Sequence, residues 1–262
     1  MKITVIVATH KKYRMPKDSC YLPLHVGKAG KADLGYTGDD TGDHISGKNP
    51  YYCELTGLYW LWKNVQSDVK GLVHYRRYFA EKRMIPLMGS KDRMDNILTE
   101  SRMKKLMKDT EILVPKKRKY YVETLYSHYA HTHYPEHLDI TRHIIEAQCP
   151  EYLKAFDKVM KRTWAHMFNM FIMSDEKVNE YCEWLFPILK ELERHIDIDA
   201  YNSYQARLYG RVSELMFDVW LERNQYHYVE VPIMNLEKQD WKKKIKSFVA
   251  AKVFGRKYSR SF

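Results

Sequence analysis

Gly71-Leu72-Val73-His74-Tyr75-Arg76-Arg77-Tyr78-Phe79 is an apolar approach that ends at once in a histidine, a tyrosine and two arginines. The approach reads as a short buried strand. In open α/β sheets, ligands bind beyond the carboxyl ends of the strands. Two guanidinium groups at such an end suit a phosphate or a carboxylate, because each offers a rigid donor fork at fixed positive charge. A solvated basic loop has the same composition. The neighbouring Tyr75, Tyr78 and Phe79 add the apolar surface on which an anion site can be built.

Outward from this run the pattern recurs. Residues 3–8 are β-branched and uninterrupted, a buried strand that ends in Thr9-His10-Lys11-Lys12. Leu55, Leu58, Tyr59 and Trp62 follow the helical period, which predicts a helix over 53–64. Residues 92–108 read as a helix and 111–114 as a strand closed by Pro115. A β-α-β-α-β order predicts an α/β fold with a mostly parallel sheet flanked by helices. Further on, 151–162 reads as a helix, 169–173 as a strand, 175–194 and 204–223 as helices, and 228–231 as a short edge strand. Residues 13–50 read as loops, and 116–150 as loops with short helical pieces. One domain over 1–235, helical in its C-terminal part, followed by a tail over 236–262, is the simplest organisation.

The chain has 262 residues, 45% hydrophobic and 14% aromatic, as a globular domain requires. Its 21 tyrosines combine apolar area with a hydrogen-bonding tip, which suits core positions and sugar- or nucleotide-binding grooves alike. The four cysteines lie far apart and fit no zinc spacing. With no secretory leader they point to reduced thiols in a cytoplasm. The net charge is +11, yet residues 241–262 carry eight Lys or Arg and no acid, leaving +3 for the rest. The positive charge is therefore largely a tail property, which argues against a nucleic-acid groove across the domain. Trp241, Ile245, Phe248 and Val249 would share one helical face among lysines, the pattern of a helix lying on anionic lipid.

Several groups could carry chemistry. Thr9, His10 and Lys11 stand where the first strand-to-helix loop of a nucleotide-binding sheet would lie, without a Gly-rich fingerprint. The stretch 36–49 is dense in groups that bind ribose, a base edge or sugar hydroxyls, and Asp39 and Asp40 could chelate a divalent ion. His128, His131 and His133, with His137 nearby, match no metal signature; proton transfer or hydrogen bonding suits them better. Glu214 sits beside Leu215, Met216, Val219 and Trp220. It is either an acid held near a buried face or half of an ion pair with Arg207 or Arg211.

The runs Asp39 to Asn49, Tyr52-Cys53-Glu54-Leu55-Thr56-Gly57-Leu58-Tyr59-Trp60-Leu61-Trp62-Lys63-Asn64, His74-Tyr75-Arg76-Arg77-Tyr78-Phe79 and Asn169-Met170-Phe171-Ile172-Met173 together resemble a family of uncharacterised bacterial domains. Its genes lie in capsule and exopolysaccharide clusters, and its members are described as glycosyltransferases, some as galactofuranosyltransferases. The resemblance runs from Thr4 to about Trp241. It implies a fold similar to the GT-A nucleotide-sugar transferases. It also implies transfer of a hexose, galactofuranose among the candidates, from a UDP-sugar to a glycan on a lipid carrier. Thr9, His10, Lys11, Asp39, Asp40, Ser46, Lys48, Asn49, His74 and Tyr75 would then hold the nucleotide and donor, with Asn169 beside a sugar. Arg76 and Arg77 would stabilise the departing diphosphate, and Glu214 or His133 would take the acceptor's proton. Most GT-A enzymes hold a metal with Asp-x-Asp after a central strand; here His74-Tyr75-Arg76-Arg77 stands there. The expectation is that no metal is required, with Mn²⁺ or Mg²⁺ as the alternative. The expected place is the cytoplasm, peripheral at the inner face of the plasma membrane through residues 241–262, with no nucleic-acid partner. A different class, a non-catalytic binder of anionic glycans or nucleic acid, predicts salt-sensitive polyanion binding without UDP binding. A phosphotransferase would need a phosphate loop that this sequence lacks.

Overall fold

The computed structural model describes residues 1–81 and 92–237. The chain runs through strands β1 (Ile3–Thr9), β2 (Tyr21–His25) and β3 (Thr37–Gly38), then helices α1 (Asn49–Tyr52) and α2 (Leu55–Asn64). Next come β4 (Val69–His74), β5 (Arg77–Phe79), α3 (Glu100–Leu106), β6 (Ile112–Pro115) and β7 (Arg118–Lys119). Helices α4 (Leu125–Thr132), α5 (Glu136–Gln148) and α6 (Leu153–Met160) precede β8 (Trp164–Ala165) and β9 (Phe171–Ser174). The long helices α7 (Asp175–His195) and α8 (Leu208–Asn224) lead into β10 (Val229–Val231) and β11 (Ile233–Asn235).

The main sheet has the order β10-β6-β9-β4-β1-β2-β3, with β5 and β11 attached beside β4. It is α/β and mostly parallel, as expected. β1, β2, β3 and β4 run together, and β6 and β10 share their direction. β9 runs antiparallel between β4 and β6. Alternation along the strands divides the core. Ile6, Ala8, Leu24, Leu72 and Phe171 pack with α2, α7 and α8 on one face. Val5, Val7, Val73, Leu113 and Ile172 pack with α3, β5 and β11 on the other. Helix α2 lies close to the sheet because position 57 is glycine: a Cβ there would stand 2.8 Å from Val26 Cγ1.

The sequence reading misplaces three elements, one of them α5, a 13-residue helix within the stretch 116–150 read as loops with short helical pieces. β2 lies inside the stretch read as loops, because Pro23 breaks its apolar run. Proline is tolerated near the sheet's margin, where β3 contributes only a two-residue ladder. Residues 92–108 divide into a 3₁₀ turn at Arg93–Asn96 and the shorter α3, which Thr99 caps by accepting from the Arg102 amide. Residue 235 closes the sheet, since β11 pairs with β5 from Ile233 to Asn235. Almost all of the 236–262 tail, and its proposed lipid-facing helix, lies outside the described residues. Among the described residues no helix is long and apolar enough to cross a membrane.

Candidate active site

Three parallel strands end side by side. Thr9 aligns with His25, and Ala8 with His74, so the carboxyl ends of β1, β2 and β4 form one edge. The antiparallel direction of β9 brings its entry residues to that same edge, because Phe171 lies opposite Leu72. Asn169 therefore joins His74. After β4 the chain turns through Tyr75 and Arg76, and His74 pairs with Arg77 on β5.

The two arginines part company. Arg76 is exposed, lies 5.6 Å from the centre of the Tyr75 ring, and reaches Glu237 at 3.4 Å. Arg77 turns inward, its guanidinium 3.8 Å from the Phe168 ring centre and its Nε donating to Asn235 Oδ1 at 3.0 Å. The structure thus separates an outer basic rim from an inner acid pocket.

The rim gathers around His10, whose ring meets Tyr75 edge-on at 5.3 Å. Burial lowers the His10 pKa, and Lys11, Arg76, Lys31 and Arg207 lower it further, which records four cations around one imidazole. Lys11 lies over Tyr75 at 5.1 Å and Tyr13 at 5.5 Å. Thr9 is buried and donates to the Lys11 carbonyl at 2.6 Å, fixing this loop. Arg207 donates to Cys53 Sγ at 3.1 Å. Such a cluster of fixed cations at strand ends is built to hold an anion.

The inner pocket is assembled by α8. Gly210 and Glu214, one turn apart, share a face. A Cβ at position 210 would lie 3.3 Å from Cys53 Cβ and from the Tyr52 carbonyl, so glycine lets α8 close on the α1–α2 junction. Asn169 Nδ2 bridges that junction, donating to Glu54 Oε1 at 2.8 Å and to the Gly210 carbonyl at 2.9 Å. Its Oδ1 is buried without a hydrogen-bond partner. His74 Nε2 lies 2.7 Å from the Phe168 carbonyl. A carbonyl only accepts, so Nε2 carries the proton. Burial lowers the His74 pKa against the pull of Glu54, and the ring stays neutral.

Glu214 occupies the centre. Burial and the neighbouring Glu54 carboxylate push its pKa up to about 7, against the pull of Arg77, Arg118 and Arg211. Among the described residues no ion pair includes Glu214. Arg207 and Arg211 are engaged elsewhere, Arg211 on the Tyr204 and Gln205 carbonyls, so the simple ion-pair alternative is not what the fold forms. Strain marks the same place: Cys53, Phe168 and Asn169 all have positive φ, at 54°, 85° and 50°. A bulky residue such as Phe168 rarely adopts this conformation, and strained backbone of this kind clusters at functional sites.

The remaining sequence candidates fall nearby with other partners. His133 lies across Arg211 and faces Gln205 Oε1 at 2.9 Å; burial and then Arg211 lower its pKa to about 3. Asp39 is fully buried, accepting from the Gly27 amide at 2.8 Å, the Lys28 amide at 3.0 Å and Ser46 Oγ at 2.5 Å. Asp40 pairs with Lys28, Lys48 with Glu193, and Asn49 Nδ2 donates to the Cys53 carbonyl. These residues brace the loop and the α1–α2 junction. Both Asp39 oxygens are committed to loop donors, so the Asp39-Asp40 pair does not fit a divalent cation. Among the described residues no group of three or more His, Cys, Asp or Glu side chains could hold a metal. His128 and His131 each lie 2.9 Å from Glu123.

Glu54, Arg118, Arg207 and Arg211 complete the site, and none was singled out as a site residue from the sequence. Glu54 stood within a quoted run, Arg207 and Arg211 were named only as ion-pair partners for Glu214, and Arg118 gave no local signal, because tertiary folding alone brings it there.

The chain is similar to the WbbM bifunctional glycosyltransferase in its solved apo structure, with a TM-score of 0.84 and 31% identity over 91% of this chain. The likeness covers 46% of that protein, so this chain spans less than half of its length. No curated protein matches the chain. Residues 4–225 match the family model described as domain of unknown function DUF4422. That match takes in nearly all of the sheet and the whole of the inner pocket, and the chain belongs to the DUF4422 family.

Proposed function

We propose that the protein is a glycosyltransferase that moves a hexose, galactofuranose among the candidates, from a UDP-sugar to a glycan acceptor on a lipid carrier. The observation that carries this reading is Glu214, a half-buried carboxyl with a pKa pushed up to about 7 among Arg77, Arg118 and Arg211, on the same edge as the cations around His10. Likeness to WbbM, itself titled a bifunctional glycosyltransferase, supports the class. Capsule or exopolysaccharide synthesis is the setting that the resemblance implies.

The chemistry follows from the two zones. Lys11, Lys31, Arg76 and Arg207 neutralise the diphosphate, the task that a divalent cation performs in a metal-dependent transferase. The acceptor oxygen bonds to the anomeric carbon as the carbon–phosphate-oxygen bond breaks, and the leaving electron pair departs on UDP. Glu214, in its ionised form, takes the acceptor's proton. A base with a pKa near the working pH combines adequate proton affinity with an adequate ionised fraction. His133, with its pKa lowered to about 3, is the weaker candidate. Asn169 Oδ1, buried and unpartnered, can accept from a sugar hydroxyl.

A thermal-shift panel tests the class. UDP and UDP-sugars should raise the melting temperature, while ATP, GDP and NAD leave it unchanged. Stabilisation by polyanions with no response to UDP would assign the protein to the non-catalytic binders instead.

A further inference from the structure

Next to the inner pocket the chain makes a turn that no requirement of packing explains. Tyr120 is anchored: its amide donates to the Thr163 carbonyl at 2.8 Å, and its ring lies 4.3 Å from His128. Glu214 and Arg118 are both close enough to act on its hydroxyl electrostatically. At the following residue the backbone reverses. The Val122 amide donates to the Tyr120 carbonyl at 2.6 Å, closing a three-residue turn with Tyr121 at its centre and φ of 58°. A turn of this span with positive φ at the centre is the rare, strained form. A tyrosine there, with no glycine's freedom, carries a conformational cost.

Burial does not offset that cost. Tyr121 is 83% exposed and Val122 76%. The turn is nonetheless held on both sides. β7 pairs with β8 before it, and after it Glu123 is buried against His128 and His131. Thr124 then caps α4, and the Leu125 amide donates to the Arg162 carbonyl at 2.7 Å. The result is a strained support, held on both sides, that displays an aromatic ring to solvent one residue from Tyr120.

We propose that Tyr121 is a stacking platform for the acceptor saccharide, seating a sugar ring adjacent to the one whose hydroxyl reaches Glu214. The proposal rests on the glycosyl-transfer reading of the Glu214 pocket. A sugar ring presents an apolar C–H face with hydroxyls at its margin. Tyr121 offers a flat apolar face with a polar tip and little side-chain entropy to lose. The surroundings favour a saccharide over a bilayer. Val122 stands beside Tyr121, Arg118 and Lys119 are exposed before it, and the Tyr126 hydroxyl donates to Asp139 at 2.9 Å. A lipid-inserting tip would present a larger contiguous apolar surface. Adjacency in the chain motivates the ligand's role, since adjacent Cα atoms stand about 3.8 Å apart and the Tyr120 hydroxyl lies close enough to Glu214 to feel its charge.

The test uses an immobilised array of bacterial-type oligosaccharides, vesicles of mixed phosphatidylglycerol and phosphatidylcholine, and UDP melting shifts, each applied to the full chain. Tyr121→Ala should weaken saccharide binding about tenfold, as loss of one stacking contact does, and Tyr121→Trp should retain it. Tyr121→Gly should melt higher, because it relieves the turn, and still lose binding as Tyr121→Ala does. A purely structural role would show no such split. Saccharide binding unchanged in Tyr121→Ala and Tyr121→Gly overturns the proposal. So does a wild-type chain that binds no saccharide, or a loss confined to vesicle binding. The UDP shift should be the same in all variants. Its absence from the wild type would overturn the donor reading separately, while the array still reports on Tyr121.

Discussion

In the proposed reaction Glu214 is the residue on which the chemistry turns, and its raised pKa carries a stability cost with a definite sign. Between the ordinary value of 4.5 and about 7, the folded chain keeps a proton that the unfolded chain has released. Stability contributed by the neutral acid is therefore present at low pH and lost as pH rises through about 7. Glu214→Gln removes that dependence. Its melting temperature should exceed the wild type's by a margin that grows from acid to mildly alkaline pH, worth a few kcal/mol at most. Turnover should be abolished while UDP binding persists, since the amide keeps the shape but cannot take a proton. An active variant would return the role to His133. The two arginines should separate in the same assay. Arg77→Met leaves Glu214 with fewer cations and should move the acid limb of the kcat profile, on which activity rises as Glu214 ionises, to higher pH. Arg76→Ala should weaken UDP binding without moving that limb, and Arg76→Lys should recover little, because a point charge lacks the bidentate fork. Much of this site was legible in the sequence. His74, Arg77 and Glu214 each stood out by local pattern, and Asn169 through the family resemblance. Glu54 and Arg118 did not, because Glu54 meets the site only when α8 closes on the α1–α2 junction, a contact across more than a hundred residues of chain, and Arg118 arrives on β7.

At the scale of elements, the loop between β2 and α1 shows why composition misleads about roles. A stretch dense in Asp, Thr, Ser and Asn looks like a ligand-binding loop, and it stands at the right edge of the sheet. Yet Asp39 spends its carboxylate on two amides and a hydroxyl of that loop. It is a clamp that shapes the edge. Asp39→Ala should leave these donors unsatisfied in a buried place and cost roughly 2–4 kcal/mol, read as a lower urea midpoint. Adding Mn²⁺ or EDTA should not change that midpoint in the wild type; a metal-dependent shift would reinstate Asp39 as a ligand. The strands with strong apolar runs, β1, β4, β6 and β9, were readable from sequence. β2 was not, because Pro23 hides a strand that the sheet tolerates near its margin. The antiparallel direction of β9 was also hidden. Strand direction depends on the path of the preceding α4–α6 segment, and no local periodicity encodes that path.

The whole molecule divides its charge between a nearly balanced domain and a basic end. Residues 241–262 hold eight of the positive groups and no acid, with Trp241, Ile245, Phe248 and Val249 interspersed. In the proposed reaction, a rim that neutralises a dianionic leaving group needs only the few local cations around His10. The tail's charge is then free for another purpose, and contact with anionic lipid is the proposal. Each Lys or Arg near such a surface contributes about 1 kcal/mol, and the attraction decays within a Debye length of about 8–10 Å. A chain truncated before residue 238 should therefore lose cosedimentation with anionic vesicles and keep its UDP melting shift. Binding of the full chain should fall steeply with added salt and rise with the anionic fraction of the vesicle. Equal binding to neutral vesicles, or full retention after truncation, would reject lipid contact through the tail. If the acceptor is carried on lipid, truncation should raise the apparent KM for a vesicle-borne acceptor. It should leave kcat unchanged for a soluble saccharide, because the tail concentrates the enzyme at the surface and takes no part in the bond exchange. A fall in kcat on the soluble acceptor would instead place the tail within the working site.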